Sequence, residues 1–594
     1  MQVSAQPNIY PTHWWTGMKN QKLQLMLRST DGLPASASVN YPGVKLLKTF
    51  QPANKHYLFI DLQISSAAKP GKMNIRVGNA NVSYELKARS KENGRSRNKG
   101  ITSEDLIYLI MPDRFSNGDP SNDRISGLRD QTLNRDSIYH RHGGDLKGVQ
   151  SKLDYLQDLG VTSIWMMPVI KNDMPERSEH GYAFTDHYTV EPRLGGYQAY
   201  KDLSEALHSR GMKLIQDAVY NHVGLEHFLF RDLPDSSWFH FWPKYTQTNY
   251  REQPLFDVHA SKKDERRVSD GWFVPAMPDV NQKNPYFANF LIQHAIWSTE
   301  EFGLDGWRID TYIYNDMEFM NRCNKALLDE FPRIHLFGET WVHGPLNQGY
   351  FVKNKLDIPF KSNLPGITDF QTNMYGIVPA LTQQPGWTEG INRLHQTTSH
   401  DFIYEDPMKQ VIFLDNHDMS RFYSQVGEDK EKLKMGLAWL LTFRGIPQLY
   451  YGTEIGMKGI SNPDGWVRLD FIGGWKEDAD KNKFTEQGRN AEENELFNYT
   501  RSLAQFRKMS SALKTGKMMH YVPEGNVYVY FRYDAEQTVM CIMNAGAEAT
   551  IDTERFSERM SGFKNGRDVV TGSSHQLNQI KVPAKTVLVL ELQK

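Results

Sequence analysis

The chain has 594 residues, of which 39% are hydrophobic and 23% charged, so a large core is available, global disorder is excluded, and two to four domains are expected. Its 69 basic residues nearly balance its 70 acidic residues, and the formal net charge of -1 argues against a nucleic-acid or polyanion partner. Two cysteines, Cys323 and Cys541, are too few for a disulfide scaffold or a cysteine-rich metal site.

The first segment has the pattern of an all-β domain. Alternating and β-branched runs are separated by Gly-Leu-Pro and Tyr-Pro-Gly turns, and we predict an immunoglobulin-like, carbohydrate-binding-like β-sandwich over residues 1–86. Residues 87–100 are polar and basic and contain no large apolar side chain. A cationic run of this kind could bind nucleic acid, but the neutral total charge favours a solvated linker between domains.

Residues 101–508 alternate short apolar runs with amphipathic helical windows. Strands that alternate with helices pair in parallel, so eight runs predict an α/β fold, a (β/α)8 TIM barrel. The interval after the third run is too long for a plain βα unit, which predicts an inserted domain at about 223–281. Residues 509–594 return to β character and predict a C-terminal β-sandwich. The eight runs are 106–111, 163–167, 213–219, 306–310, 335–339, 366–370, 410–415 and 447–451.

Four of these runs end in an acidic residue or are followed closely by one. The runs lead to Asp217, Asp310, Glu339 and Asp418, and a barrel brings the carboxyl ends of its strands to one face. A single acid after a strand could cap the next helix, whereas four acids with Arg and His between them favour a catalytic site. Arg308 and Asp310 lie two residues apart on one strand, so their side chains share a face and a contact could keep Asp310 ionised as a nucleophile.

Paired carboxyl groups with unlike pKa values are what glycoside hydrolysis requires. One carboxylate attacks or acts as a base, the other donates a proton to the leaving oxygen, and a third acid can keep the donor's pKa high. A metal hydrolase would instead need clustered His and Asp ligands. His222 and His417 stand alone at their strand ends, and the His140–His142 pair has no acid-rich strand end beside it.

Five ordered motifs carry a family resemblance. Segments 217–222, 306–310, 338–341 and 413–418 are similar to the four ordered motifs of the α-amylase family, glycoside hydrolase family 13, and segment 277–281 is similar to an additional motif of that family. The N-terminal β domain and the Met-Pro-Asp-Val-Asn form of segment 277–281 look most like the cyclomaltodextrinase/neopullulanase branch, in particular its Bacteroidetes-type members.

The resemblance implies that Asp310 is the nucleophile, Glu339 the general acid/base and Asp418 the third carboxylate of a double displacement with retention. It implies an endo-acting hydrolase of α-1,4-glucosidic bonds in cyclomaltodextrins, pullulan and maltooligosaccharides. The alternatives are an α-glucan transglycosylase on the same fold and a non-catalytic glucan-binding protein, and the presence of all three acids weighs against the second. Residues implied to orient the nucleophile or bind sugar are Arg308, His222, His417, Tyr182, His180, Trp341, Asp464 and Arg468.

Two positions depart from the family pattern. Ala183 stands where many members have Asp, and Asp279 stands where others in the branch carry Lys. Neither position is one of the three carboxylates, so both departures bear on the choice of substrate rather than on the reaction class.

A cluster of Asn, Asp and Gly residues between the first two runs predicts a structural calcium site. Amide, carboxylate and carbonyl oxygens at short offsets suit a hard cation such as Ca²⁺, although an Asx-rich turn could also satisfy its own backbone. The resemblance implies calcium at the same positions. They are Asn117, Asp119, Asn122, Asp123, Gly143 and Asp145.

The remaining expectations concern location and assembly. No apolar run reaches the roughly 18 residues of a membrane span, and the first residues lack the pattern of an intact signal peptide. Ser4-Ala5-Gln6 is similar to the remnant of a removed leader, which with the resemblance indicates the periplasm, or the cytoplasm if no leader was removed. The N-terminal domain could form a homo-oligomer or pack on its own barrel. Trp14 and Trp15 could serve an intersubunit contact, a glucan surface or ordinary packing.

Overall fold

The eight runs predicted as barrel strands all form strands of one parallel sheet in a computed structural model that describes residues 6–594. A parallel bridge between Thr368 and Val411 joins the sixth and seventh strands and closes the ring. Every strand residue except Lys213 is buried, as expected for parallel strands covered by helices. In chain order the strands are Ile107–Ile110, Ser163–Met166, Lys213–Ala218, Gly306–Ile309, His335–Gly338, Gly366–Ile367, Val411–Phe413 and Ile446–Tyr450.

The helices around the barrel begin and end at residues that favour helix termini. The Asn284 side chain caps Pro285–Phe302, which ends at Gly303 with a left-handed φ of 66°. Asn490 and Glu493 form a capping box at the start of Ala491–Met509. Other barrel helices of six or more residues are Leu146–Ser151, Leu153–Leu159, Gly196–Ser209, Met317–Glu330, Pro345–Tyr350, Asn392–Thr398 and Lys430–Thr442. Shorter ones are Pro112–Phe115, Phe370–Thr372, Val378–Thr382 and Phe422–Gln425.

The segment between the third and fourth barrel strands contains the helices Phe228–Arg231 and Lys262–Asp270 within long loops. Isolated bridges pair His222 with Asp279 and Phe239 with Val280, so the end of this inserted segment returns to the strand end where it began.

The N-terminal domain consists of two four-stranded sheets. One contains Asn8–Tyr10, Lys22–Arg28, Tyr57–Ile64 and Val44–Phe50, and the other contains Trp14–Thr16, Ala80–Ala88, Gly71–Val77 and Ala37–Val39. Trp14 and Trp15 are each 3% exposed. The two rings therefore serve ordinary packing. The alternative predictions, a glucan-binding surface or an intersubunit contact, are wrong because neither ring reaches the surface.

The polar segment after this domain lies against the barrel, which differs from the predicted solvated linker. Arg89 pairs with Glu300 at 2.9 Å and also with Glu330, and the Asn98 side chain donates to the Leu304 carbonyl at 2.8 Å. Basic residues of the segment thus pair with buried acids of the barrel helices. The composition of the segment alone could not show this, because its partners lie far away in the sequence.

The C-terminal domain packs a six-stranded sheet against a two-stranded one. The strands of the larger sheet are Lys517–His520, Val527–Tyr533, Thr538–Asn544, Thr586–Gln593, Asn565–Asp568 and Ser574–Gln576, and those of the smaller are Ala549–Ile551 and Ile580–Val582. The short helices Ser511–Lys514 and Ser557–Met560 complete the domain. Across residues 6–594, no helix has the length and apolar character needed to cross a bilayer.

Candidate active site

Adjacent barrel strands place two carboxylates side by side. Ile309 is in register with Gly338, so Asp310 and Glu339 leave the fourth and fifth strands at the same level. The Asp310 amide donates to the Ala218 carbonyl and the Glu339 amide to the Ile309 carbonyl, each at 2.8 Å. The parallel ladder itself therefore sets the separation of the two acids.

One guanidinium contacts both acids. Arg308 Nη1 donates to Asp310 Oδ1 at 2.7 Å, the contact that the two-residue spacing predicts, and Nη2 lies 2.9 Å from Glu339 Oε1. Glu339 Oε2 also accepts the Thr311 amide at 2.8 Å. Thr311 has a left-handed φ of 44°, a conformation rare for a β-branched residue, so local backbone strain aims this amide at Glu339.

The third carboxylate follows the seventh strand. Asp418 Oδ1 accepts from Arg468 Nη2 at 2.8 Å, and its Oδ2 lies 3.1 Å from His417 Nε2. The same His417 nitrogen is 2.7 Å from Tyr182 Oη, and the two rings stack with centroids 5.3 Å apart. Tyr182 is thereby held in one orientation at the edge of the cavity.

Asp217 supports the site from behind. Its Oδ1 accepts from Arg308 Nη1 at 3.1 Å, and its Oδ2 accepts from Trp165 Nε1 and Tyr182 Oη, each at 3.0 Å. Asp217 is fully buried and is not part of the cavity wall. Of the four acids predicted to converge, three reach the cavity and the fourth orients the residues behind it.

The environments of the three acids differ in a way that separates their protonation states. Burial raises the pKa of Glu339 to about 8, with Asp310 and Asp418 adding to the rise and Arg308 opposing it. Burial also raises the pKa of Asp310, and Arg308 opposes that rise. Burial opposes ionisation of Asp418, but His417 and Arg468 outweigh it and lower its pKa. Glu339 is therefore suited to donate a proton and Asp418 to stay ionised.

These acids line a cavity of about 660 Å³. Eleven residues were predicted for catalysis or sugar binding. Two of them, Arg308 and His417, do not line the cavity but contact residues that do, as described above. The nine that line the cavity are Asp310, Glu339, Asp418, His222, Tyr182, His180, Trp341, Asp464 and Arg468.

Comparison with protein families identifies all three parts of the chain. Residues 109–493 match the α-amylase catalytic domain, residues 8–90 the cyclomaltodextrinase N-terminal domain, and residues 518–591 the cyclo-malto-dextrinase C-terminal domain. The chain belongs to the α-amylase family. The predicted barrel flanked by two β domains and the predicted family are thus confirmed, and the protein is a glycoside hydrolase of this family.

Several relatives align with most of the length of this α-amylase-family enzyme. Neopullulanase 2 of Thermoactinomyces vulgaris is 30% identical over 482 residues, 79% of this chain and 74% of that protein. A cyclomaltodextrinase of Thermoanaerobacter pseudethanolicus is 28% identical over 456 residues, 76% of this chain and 71% of that protein. An α-amylase from Anoxybacillus has a solved structure that superposes with a TM-score of 0.68 at 27% identity, covering 82% of this chain and 98% of its own.

The inserted segment supplies an aromatic wall that sequence reasoning missed. Tyr250 and Phe273 of this segment line the cavity together with Tyr314 from the loop after the fourth strand, and the Phe273 ring stacks on His222 at 5.4 Å. The Trp- and Phe-rich composition of the segment was the available signal, but composition does not show which rings face inward. Asp279 is buried against His240 at 2.6 Å and is absent from the wall, so its bearing on substrate choice is at most indirect.

The predicted calcium residues lie close together and differ in how many of their oxygens already accept hydrogen bonds. Asp145 accepts from the Gly118, Asp119 and Gly148 amides and from Asn122 Nδ2, so its oxygens already have partners. Asn117 Nδ2 donates to Asp123 Oδ1 at 2.8 Å. The Asp119 carboxylate accepts from Ser121.

The cluster fits an oxygen-rich cation site. Asn122 Oδ1 is buried without a hydrogen-bond partner among the described residues. Gly143 has a left-handed φ of 87° and lies where a Cβ would be only 2.6 Å from Asp123 Oδ1, so the backbone approaches that carboxylate closely. Within residues 6–594, no three His, Cys, Asp or Glu side chains form a metal-ligand group, so a cation would depend on amide and carbonyl oxygens as well.

Proposed function

We propose that the enzyme is a retaining, endo-acting hydrolase of α-1,4-glucosidic bonds in cyclomaltodextrins, pullulan and maltooligosaccharides. The observation that carries the proposal is the contact of Asp310 and Glu339 with the same Arg308 guanidinium, at the wall of a cavity that Asp418 also lines. The names of the relatives, cyclomaltodextrinase and neopullulanase, support this class of substrate.

The chemistry proceeds in two displacements. Glu339 donates its proton to the glycosidic oxygen while Asp310 attacks the anomeric carbon, so the leaving sugar departs with a hydroxyl and a β-glucosyl ester forms. Water then attacks the anomeric carbon of the ester, its proton passes to Glu339, and the bond from that carbon to Asp310 breaks, so that Asp310 is released as a carboxylate. Two inversions at one carbon give net retention.

Several wall residues are suited to hold the reacting glucose. His222 Nε2 is buried and has no hydrogen-bond partner among the described residues, so it can bond a sugar hydroxyl. Tyr182 presents a ring that His417 and His180 stack against and so keep in place. Trp341 is 37% exposed and stacks on Phe370, which leaves a ring face for leaving-group sugars.

Replacing the proton donor tests the proposed reaction. Glu339→Gln removes the acid and keeps the size of the side chain, so we expect hydrolysis of cyclomaltohexaose and maltotriose to fall by roughly 10²-fold or more. Exposed Glu558→Gln is the matched control and should leave the rate unchanged. A rate within a few-fold of wild type for Glu339→Gln would refute the assignment.

Product analysis separates hydrolysis from transfer. Proton NMR of fresh products should show the α-anomer first, since the mechanism retains configuration. Chromatography should show products shorter than the substrate, and a majority of longer products would indicate a transglycosylase instead.

We also propose a structural calcium ion held by Asn117, Asp119, Asn122, Asp123, Gly143 and Asp145. The Asn122 oxygen, which has no hydrogen-bond partner in the described part of the chain, and the close approach of Gly143 to Asp123 support it. Calcium would tie the loop after the first barrel strand to the start of Leu146–Ser151 and has no part in the bond-breaking steps.

Self-association through the N-terminal domain and a periplasmic location are further proposals that rest on the family resemblance. Sedimentation velocity and cell fractionation, respectively, test them.

A further inference from the structure

A series of ion pairs leads from the carboxylates to one end of the cavity. Arg468 Nη2 donates to Asp418, and Arg468 Nη1 lies 3.0 Å from Asp464 Oδ2. Arg177 Nη2 in turn donates to both Asp464 oxygens at 3.1 and 3.2 Å. Arg177 lies in the loop after the second barrel strand and Asp464 in the loop after the eighth, so this last pair joins two separate loops at the cavity wall.

Tyr139, in the loop after the first strand, contacts both members of the Arg177–Asp464 pair. The Arg177 guanidinium carbon lies 4.1 Å from the centre of the Tyr139 ring, within the range of a cation–π contact. Tyr139 Oη donates to Asp464 Oδ1 at 3.2 Å. Tyr139, Arg177 and Asp464 together form what we call the donor-end bridge, in which three loops meet.

The backbone at Arg177 is fixed although its side chain is not buried. Arg177 has a left-handed φ of 53°, and the next residue, Ser178, donates its hydroxyl to Asp130 at 2.7 Å and accepts from Arg141 at 3.2 Å through its carbonyl. The Arg177 side chain itself is 42% exposed. A fixed base with an exposed, ion-paired tip is suited to a contact that can open without unfolding the loop.

The position of the bridge follows from the proposed hydrolysis. Glu339 protonates the leaving oxygen, and Trp341 and His343 follow it in the same wall, so leaving-group sugars lie on that side. The bridge is built from the loops after the first, second and eighth strands, which lie across the barrel from the fifth strand that leads to Trp341 and His343. It therefore lies beyond the sugars that stay attached to Asp310, at the non-reducing, donor end of the cleft.

We propose that Arg177 determines how many glucose units the donor side accepts. While the bridge is closed, a linear glucan binds with a short donor segment and a short fragment leaves its non-reducing end. Attack in the interior of a long chain requires Arg177 to leave Asp464, and an exposed ion pair is weak enough to allow this. Arg177 thus sets the ratio of short-fragment release to interior cleavage, an inference that rests on the proposed function.

Cleavage-site mapping tests this proposal. Maltooctaose labelled at its reducing end reports the donor length of each cleavage through the size of the labelled product. We expect Arg177→Ala to raise the share of long donor fragments roughly 2- to 5-fold, the range that loss of one exposed ion pair allows. One molar salt should shift the wild-type map in the same direction.

Arg501→Ala is the matched control. Arg501 pairs with Asp158 at 3.1 Å and is 43% exposed, so it resembles Arg177 in geometry but lies outside the cavity wall. Its variant should give the wild-type map.

A second variant and two contrary results complete the test of the role of Arg177. Tyr139→Ala removes the support for Arg177 and should shift the map as Arg177→Ala does. An unchanged map in both active variants, or a folded Arg177→Ala that cleaves nothing, overturns the inference. If the wild-type enzyme itself hydrolyses no α-glucan, the proposed function fails instead, and the two failures are thereby distinguished.

Discussion

Arg308 contacts both an acid that must be ionised, Asp310, and an acid that must carry a proton, Glu339. Its guanidinium bonds the nucleophile, the proton donor and the supporting Asp217, so three acids share a single buried cation. One positive charge cannot neutralise three carboxylates in a buried site, and the site therefore retains a proton. The raised pKa of Glu339 is consistent with that proton residing on the acid that must donate it.

The pH dependence of the rate should report this proton. Because the pKa of Glu339 is raised to about 8, its active, protonated form persists at neutral pH and is lost as the pH rises through that value. We expect kcat/KM for maltotriose to fall on the alkaline side. Asp418→Asn removes a negative charge that raises this pKa, so the alkaline limb should move to lower pH, whatever the remaining rate. A limb that stays in place would contradict the coupling.

Much of the site could be predicted residue by residue. The acids follow apolar runs directly, and Arg308 lies two positions before Asp310, so strand geometry alone predicts their contact. Arg177, Tyr139 and the Tyr250 ring were missed because they lie in loops, whose course no local periodicity describes.

At the scale of elements, the end of the helix Pro285–Phe302 is where the N-terminal domain docks. Glu301 accepts from His13 Nε2 at 2.8 Å and from Tyr197, with Lys87 Nζ at 3.4 Å. The neighbouring Glu300 pairs with Arg89. On another face of the domain, Arg28, Asn54 and His56 bind Asp232 of the inserted segment. The domain therefore contacts both the barrel helices and the segment that supplies the aromatic wall.

Glu301 should make this docking sensitive to acid. Burial would raise its pKa, but the bonds from His13 and Tyr197, with Lys87 nearby, outweigh burial and lower the pKa to about 2. A lowered pKa in the folded state stabilises the protein fully above the unfolded value of about 4.3, and this contribution is lost as pH falls toward 2. Glu301→Gln should thus cost about 1–3 kcal/mol at neutral pH.

Thermal unfolding at several pH values checks this expectation. The Tm difference between wild type and Glu301→Gln should be largest near neutral pH and should shrink below about pH 4. A difference that is independent of pH would show that packing, and not the charge of Glu301, accounts for the effect.

For the whole molecule, the proposed calcium ion predicts a stability effect separate from catalysis. A ligand that binds only the folded state raises Tm, so chelation by EDTA should lower the wild-type Tm by several degrees and added Ca²⁺ should restore it. Asp123→Asn, which removes one charged ligand, should weaken this response. An EDTA-treated enzyme with an unchanged Tm would exclude the site.

The sequence by itself determined the eight-strand barrel, the two flanking β domains and the order of the three carboxylates, because these depend on local periodicity and on residues at strand ends. Only the tertiary structure decided that Asp217 lies behind the wall, that residues 89–98 dock on barrel helices, that Trp14 and Trp15 are buried, and that three loops meet at Arg177. These features depend on contacts between segments far apart in the chain, and such contacts arise from packing and charge complementarity that no short stretch of sequence contains.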